Sequence, residues 1–182
     1  MLDEFQRSKN ATAVRSVAAG VRRSSDWLPP PPRRLKLNTA VKLRKNGLTL
    51  GVGVVIRDDK GWVAAARSNQ LQGNFTPEMG ELIALREGLL LADFYQLKVS
   101  YAEGFFDALV SILNDSIPIV GESKFLVNDI KMLCSSVGII KSLAIFNSEN
   151  SFAFELACAA FVSVRERCRV DFNPHNSGFG FL

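Results

Sequence analysis

The chain reads as one α/β domain built on a mixed five-stranded sheet, three antiparallel strands followed by parallel additions, with helices flanking it. Three observations predict this. Between residues 35 and 66, three β-rich stretches are separated by two turn signals, Asn46-Gly47 and Asp58-Asp59-Lys60-Gly61. A long segment of helical period begins at Pro77. Strand-like and helix-like segments then alternate, and a strand that returns parallel to the first needs a helical crossover.

The elements follow in order. Residues 1–26 are rich in basic residues and alanine, with too few apolar positions to bury a face, and read as a frayed arm. Pro29–Pro32 favours extended polyproline II and reads as a stiff spacer, which sets the domain boundary at residue 34. Leu35–Leu43 and Leu48–Ile56 form a hairpin across Asn46-Gly47, and Trp62–Ala66 adds the third strand. Thr76 is an N-cap and Pro77 a first helical residue, and the helix they start runs to about Gln96. Its apolar stripe is Met79, Leu82, Ile83, Leu89, Leu90 and Phe94. A strand over Leu97–Glu103, a short helix over Asp107–Leu113 and a turn at Asn114–Pro118 come next. A helix near Lys124–Cys134, a strand near Ile139–Phe146 and a last helix over Ser151–Arg165 complete a domain of residues 35–170, with 171–182 as a tail.

Composition bounds the function. Almost half of the 182 residues are hydrophobic, so a packed core is expected, and no apolar run is long enough to span a bilayer. Met1–Lys45 holds eleven Lys and Arg against three Asp and Glu, whereas the remainder holds eleven against fifteen, so the basic character is N-terminal. Such an arm suits phosphate backbones, and equally a solvated linker. Cys134, Cys158 and Cys168 form no C-x-x-C pair, and with His175 as the one histidine a zinc site is not expected. With free thiols and no hydrophobic secretory core, a cytoplasmic or nuclear protein is the expectation.

Particular motifs carry more. Trp27-Leu28-Pro29-Pro30-Pro31, Lys36-Leu37-Asn38-Thr39-Ala40, Gly51-Val52-Gly53-Val54-Val55-Ile56-Arg57-Asp58 and the following Gly61 together resemble the ribonuclease H-like domain of plant retroelement-derived proteins. The resemblance covers roughly residues 27–165 and implies the ribonuclease H-like fold. Active members cleave the RNA of an RNA–DNA hybrid with two magnesium ions held by four carboxylates, since magnesium demands hard oxygen ligands. The first of those positions falls at Ala40, where the family has aspartate. The second falls at Glu81, within Pro77-Glu78-Met79-Gly80-Glu81-Leu82-Ile83-Ala84-Leu85. The third falls at Phe105, after Ala102-Glu103-Gly104, and the fourth at Phe154, within a segment that keeps Asn150, Ala153, Leu156 and Ala157.

One carboxylate of four therefore remains, so no metal is expected here. The bland reading of Glu81 is a first-turn acid favoured by the helix dipole. Glu103, Asp107 and Glu155 lie near the lost positions but are displaced from them along or around their elements. The resemblance also implies that Phe105 and Phe154 converge above Ala40, filling the vacated space with an apolar plug. It places Asn38, Asn74 and Asn150 near a hybrid backbone, with Trp62 as a residue that stacks on a base or packs at the rim. Gly51 and Gly53 lie within a strand and read as close backbone packing. Arg165, Arg167 and Arg169 read as a basic stripe ending the last helix.

Three functions follow as expectations. The first is an inactive ribonuclease H type-1-like domain of retroelement origin with weak residual binding to RNA–DNA hybrid or RNA. The second is an active magnesium-dependent hybrid ribonuclease. The third is a protein-interaction or vestigial domain. No membrane partner is expected, and the oligomeric state is left open.

Overall fold

The computed structural model describes residues 27–45, 47–104, 123–145, 149–162 and 167–170. The elements are β1 (Leu35–Leu43), β2 (Thr49–Arg57), β3 (Val63–Gln72), α1 (Pro77–Phe94), β4 (Val99–Gly104), α2 (Ser123–Val137), β5 (Lys141–Ala144), α3 (Ser151–Ala159) and β6 (Arg167–Val170). The sheet order is β5-β4-β1-β2-β3-β6. The five expected strands are all present, and β4 and β5 add in parallel to an antiparallel β1–β2–β3 meander. The sixth is short and pairs antiparallel with β3. It corrects one expectation: Arg167 and Arg169 belong to this strand, because α3 stops at Ala159, and they do not end a helix. Residue 165, the helix over 107–113 and the turn at 114–118 lie outside the described residues.

Local chemistry sets the meander. Gly47 sits at φ 70°, in the left-handed region, between Arg44 and Thr49, whose backbones are paired at 3.0 Å. At the second turn Gly61 sits at φ 82°, and the Asp58 carboxylate accepts from the backbone N–H groups of Lys60 and Trp62, both at 2.9 Å. The register slips by one residue beside Arg57, a bulge next to this turn.

Two helices cover one face of the sheet. Thr76 caps α1 by accepting from the Met79 N–H at 3.2 Å, as its position before Pro77 predicts. The buried stripe of α1 is Gly80, Leu82, Ala84, Leu85, Gly88, Leu89, Leu91 and Ala92, and the expected Phe94 is exposed instead. The helix is apolar over so much of its circumference that periodicity alone misplaces the seam. Beneath it lie Leu37, Leu50, Val52, Val54, Ile56, Val99 and Ala102, and α2 adds Val127, Ile130, Cys134 and Val137 to the same core. Ion pairs pin the layers: Arg67 to Glu87 and Arg86 to Asp129, each at 3.1 Å.

The other face is covered by α3 and by the segment that enters β1. Gly51 and Gly53 let α3 approach so closely that a Cβ at either would collide with a carbonyl oxygen, Ala157 for the first and Ala153 for the second. Ser68 donates to the Leu156 carbonyl at 2.7 Å beside them. Pro30 is buried, and Trp27 and Leu28 bond to side chains of β1. The proline run is thus not a free spacer, since the segment that carries it already contacts the sheet at Trp27 and Leu28.

Candidate functional site

Ala40 lies mid-strand in β1, opposite Gly53 of β2. Its side chain turns toward α3 and is 2 % exposed, in a small apolar cluster with Val55 and Ala153. Phe154 and Leu156 of α3 and Val63 of β3 pack against that cluster. The Lys42 ammonium stands 5.5 Å from the Phe154 ring centre, closing the edge of the cluster with a cation–π contact. The expected pairing of Phe105 with Phe154 falls partly outside the described residues, since Phe105 is not among them.

Glu81 approaches from the opposite side of the sheet. Its Oε2 lies 3.9 Å from the place a Cβ would take on Gly104, where the Thr39 hydroxyl lies as well. Thr39 and Gly104 sit on neighbouring strands at the carboxyl end of β4, so Glu81 reaches the sheet where Asn38 and Glu103 are paired in register. Asn150 closes this spot from α3. It is buried and donates from Nδ2 to the Thr39 carbonyl at 2.7 Å, while its Oδ1 is buried with no partner among the described residues.

These residues do not fit a pair of magnesium ions. A methyl group packed against Val55 and Ala153 and a phenyl ring against the same cluster offer no oxygen, and Glu81 supplies one carboxylate. Among the described residues no group of three or more His, Cys, Asp or Glu is placed to hold a metal.

The residues expected to meet nucleic acid separate into two classes. Asn74 and Trp62 are exposed, Trp62 by 64 %. Asn38 and Asn150 are interior, Asn38 with both amide atoms engaged and Asn150 donating from Nδ2 to the Thr39 carbonyl. Asn38 Oδ1 accepts from Trp27 Nε1 at 2.9 Å and from Arg57 Nη2 at 3.2 Å, and its Nδ2 donates to Glu103 Oε2 at 2.9 Å.

That amide is the hub of a polar network that sequence reasoning passed over. Lys36 donates to Glu103 Oε1 at 2.5 Å and to the Leu28 carbonyl at 2.7 Å, with both charged side chains buried. The Arg57 guanidinium lies 3.7 Å from the Trp27 ring centre and 5.9 Å from that of Phe152. Burial lowers the Arg57 pKa to about 10, against the pull of Glu103 in the other direction, and it stays a cation at neutral pH. A signal was present: Lys36, Asn38 and Ala40 alternate on one face of β1, and the antiparallel β1–β2 pairing brings Arg57 opposite Lys36.

A model of the reverse transcriptase-like family matches residues 38–160. No curated protein matches the chain. Among solved structures, ribonuclease H1 from the archaeon Halobacterium salinarum is 18 % identical with a TM-score of 0.64, over 71 % of this chain and 98 % of that one. The N-terminal ribonuclease H domain of a Mycobacterium tuberculosis protein is 17 % identical with a TM-score of 0.61, over 71 % and 94 %. LC11 ribonuclease H1, isolated from compost and crystallised with an RNA/DNA hybrid, is 21 % identical with a TM-score of 0.59, over 68 % and 93 %. At these identities the likeness speaks for the fold, which is ribonuclease H-like.

Proposed function

The chain belongs to the reverse transcriptase-like family, and from that premise we propose that it is a ribonuclease H type-1-like domain of retroelement origin that has lost catalysis and retains weak, largely electrostatic contact with nucleic acid. The observation that carries this is Ala40. The family's first metal ligand is replaced by a methyl group that is itself part of a packed apolar cluster with Val55, Ala153 and Phe154. Two-metal hydrolysis needs several carboxylates around both ions, one set to activate water and one to steady the leaving oxygen. With Glu81 alone at its place, neither ion is neutralised.

Nucleic-acid contact is supported by different features. The first 45 residues carry the excess of positive charge, eleven Lys and Arg against three Asp and Glu. Trp62 is exposed at a turn, where a base can stack on it. Among the described residues no helix is long and apolar enough to cross a membrane, and a cytoplasmic or nuclear site of action is part of the same proposal.

The test is a magnesium-dependent cleavage assay on an RNA–DNA hybrid, run on the unaltered chain and on the triple variant Ala40→Asp, Phe105→Asp, Phe154→Asp. No turnover is expected from the unaltered chain. Turnover that Glu81→Gln abolishes would overturn the reading in favour of an active ribonuclease. Binding is read separately, as hybrid affinity against salt concentration. A slope that disappears on removing residues 1–26 assigns contact to the arm, and no binding at low salt leaves a domain without a nucleic-acid role.

A further inference from the structure

The segment entering β1 closes over charge, and three observations on it converge. The first concerns the groups it brings. The Leu28 carbonyl accepts from Lys36, and the Trp27 ring faces both Arg57 and Lys36, its centre 3.7 Å from the guanidinium carbon and 5.6 Å from the ammonium. Beneath are two cations and one carboxylate, and both oxygens of that carboxylate are engaged, one by Lys36 and one by Asn38. A neutral carbonyl and a π face thus stand where an anionic oxygen would balance the remaining charge.

The second observation is a donor that this cover does not satisfy. Arg57 Nε is buried without a partner among the described residues, which is costly for a group that carries part of a positive charge. The third is the joint. The segment turns into β1 through a bond from the Arg34 N–H to the Pro31 carbonyl at 3.1 Å, and Arg33 within the turn sits at φ 61°. A non-glycine residue in the left-handed region is strained. The prolines on its N-terminal side are stiff, so a rigid flap hangs on a strained joint.

We propose that Trp27–Pro30 is a displaceable cover over a phosphate-binding site made by Lys36 and Arg57, and that its ligand is the phosphodiester backbone of a nucleic-acid strand. The nucleic-acid identity rests on the reading above; the site and its cover rest on the geometry alone. When the cover lifts, the Leu28 carbonyl and the Trp27 ring leave together. The ammonium and the guanidinium then present their freed donors to a phosphate oxygen, through charge-assisted bonds. Asn38 holds Glu103 in place on its other side, so the carboxylate does not have to move. The cover is continuous in sequence with the basic stretch before it.

The test uses the full chain with two probes, inorganic pyrophosphate and a fluorescent single-stranded RNA at low salt, and circular dichroism to verify folding. Trp27→Ala is expected to bind pyrophosphate roughly tenfold more tightly than the unaltered chain, the equivalent of one charge-assisted hydrogen bond gained. Trp27→Phe keeps a ring over Arg57 and is expected to fall between the two. Adding Arg57→Gln to Trp27→Ala removes the gain. A gain for pyrophosphate without one for RNA keeps the site and refutes nucleic acid as its ligand. No gain for pyrophosphate in folded Trp27→Ala overturns the proposal. A second readout needs no change at the cover: in a Trp62→Phe background, saturating pyrophosphate shifts Trp27 emission to the red as the ring enters water, and the absence of that shift also overturns it.

Discussion

The two faces of the sheet are covered with different chemistry. Toward α1 and α2 the strands present Leu37, Leu50, Val52, Val54 and Ile56, and the helices answer with leucines and alanines from α1 and with valines, Ile130 and Cys134 from α2. Any one contact there is replaceable, since stabilisation scales with apolar area removed from water. Toward α3 and the Trp27 segment the same strands present Lys36, Asn38, Ala40, Gly51 and Gly53. Little there is replaceable: each glycine admits a helix carbonyl, Lys36 and Glu103 form a buried ion pair, and Arg57 lies against the Trp27 ring and donates to Asn38. One face is held by quantity and the other by position. Substitutions should therefore fail for different reasons on the two sides.

The largest effect is expected from Glu103→Ala. It strips the buried Lys36 ammonium of its counter-charge and leaves the Asn38 amide without an acceptor, a loss of about 3–5 kcal/mol in denaturant unfolding. The double variant Lys36→Met, Glu103→Leu removes both charges and is expected to recover most of that loss, because paired burial contributes little net stability over apolar packing. A single variant that costs under about 1 kcal/mol would place the pair in water and break the contrast between the faces.

Leu37→Ala probes the other side, one position along the same strand. Leu37 is fully buried and sits so tightly under α1 that it occupies the space of a Cβ on Gly88. The expected loss is about 2–5 kcal/mol, part transfer and part residual cavity, read as a lower midpoint at unchanged slope. Gly53→Ala should cost less, about 1–3 kcal/mol, by forcing α3 away from the sheet. Its signature is distinct, since that displacement also opens the Ala40 cluster.

How much of this was legible in the sequence follows the same division. The apolar face could be read from alternation and helical period, and Thr76-Pro77, Asn46-Gly47 and Asp58–Gly61 marked the ends of its elements by known turn and cap chemistry. Ala40 drew notice through resemblance alone, and its place in a small buried cluster with Val55 and Ala153 was not announced by any local pattern. The polar face was harder. Asn38 reads as a surface donor until Trp27, Arg57 and Glu103 are known to converge on it from three other segments, and no local pattern announces contacts that far apart in sequence. The proline run misled for a related reason: polyproline stiffness is local, whereas the decision to lie on the sheet is made by Trp27 and Leu28. The sixth strand was missed because α3 ends at Ala159, earlier than its apolar period suggests.

The smallest expected effect separates the faces by their response to alkali. Burial among the α2 core residues pushes the Cys134 thiol up to about 11 from 9.0. Between those values the unfolded chain has lost this proton and the folded chain keeps it, so stability falls as pH rises through the window. Arg57 has the opposite sign. Burial lowers it to about 10, below its ordinary value, so above about 10 the folded chain sheds a proton that the unfolded chain retains, and stability rises with pH. Unfolding measured between the two thiol values should therefore lose its downward slope in Cys134→Ala, while Arg57→Gln leaves that slope in place and removes the opposing rise above it. Thiol labelling near neutral pH provides an independent check, with the exposed Cys168 reacting first and the buried Cys134 last. A Cys134 that labels as fast as Cys168 would mean that the α2 layer opens readily, and the apolar face would then be the less secure of the two.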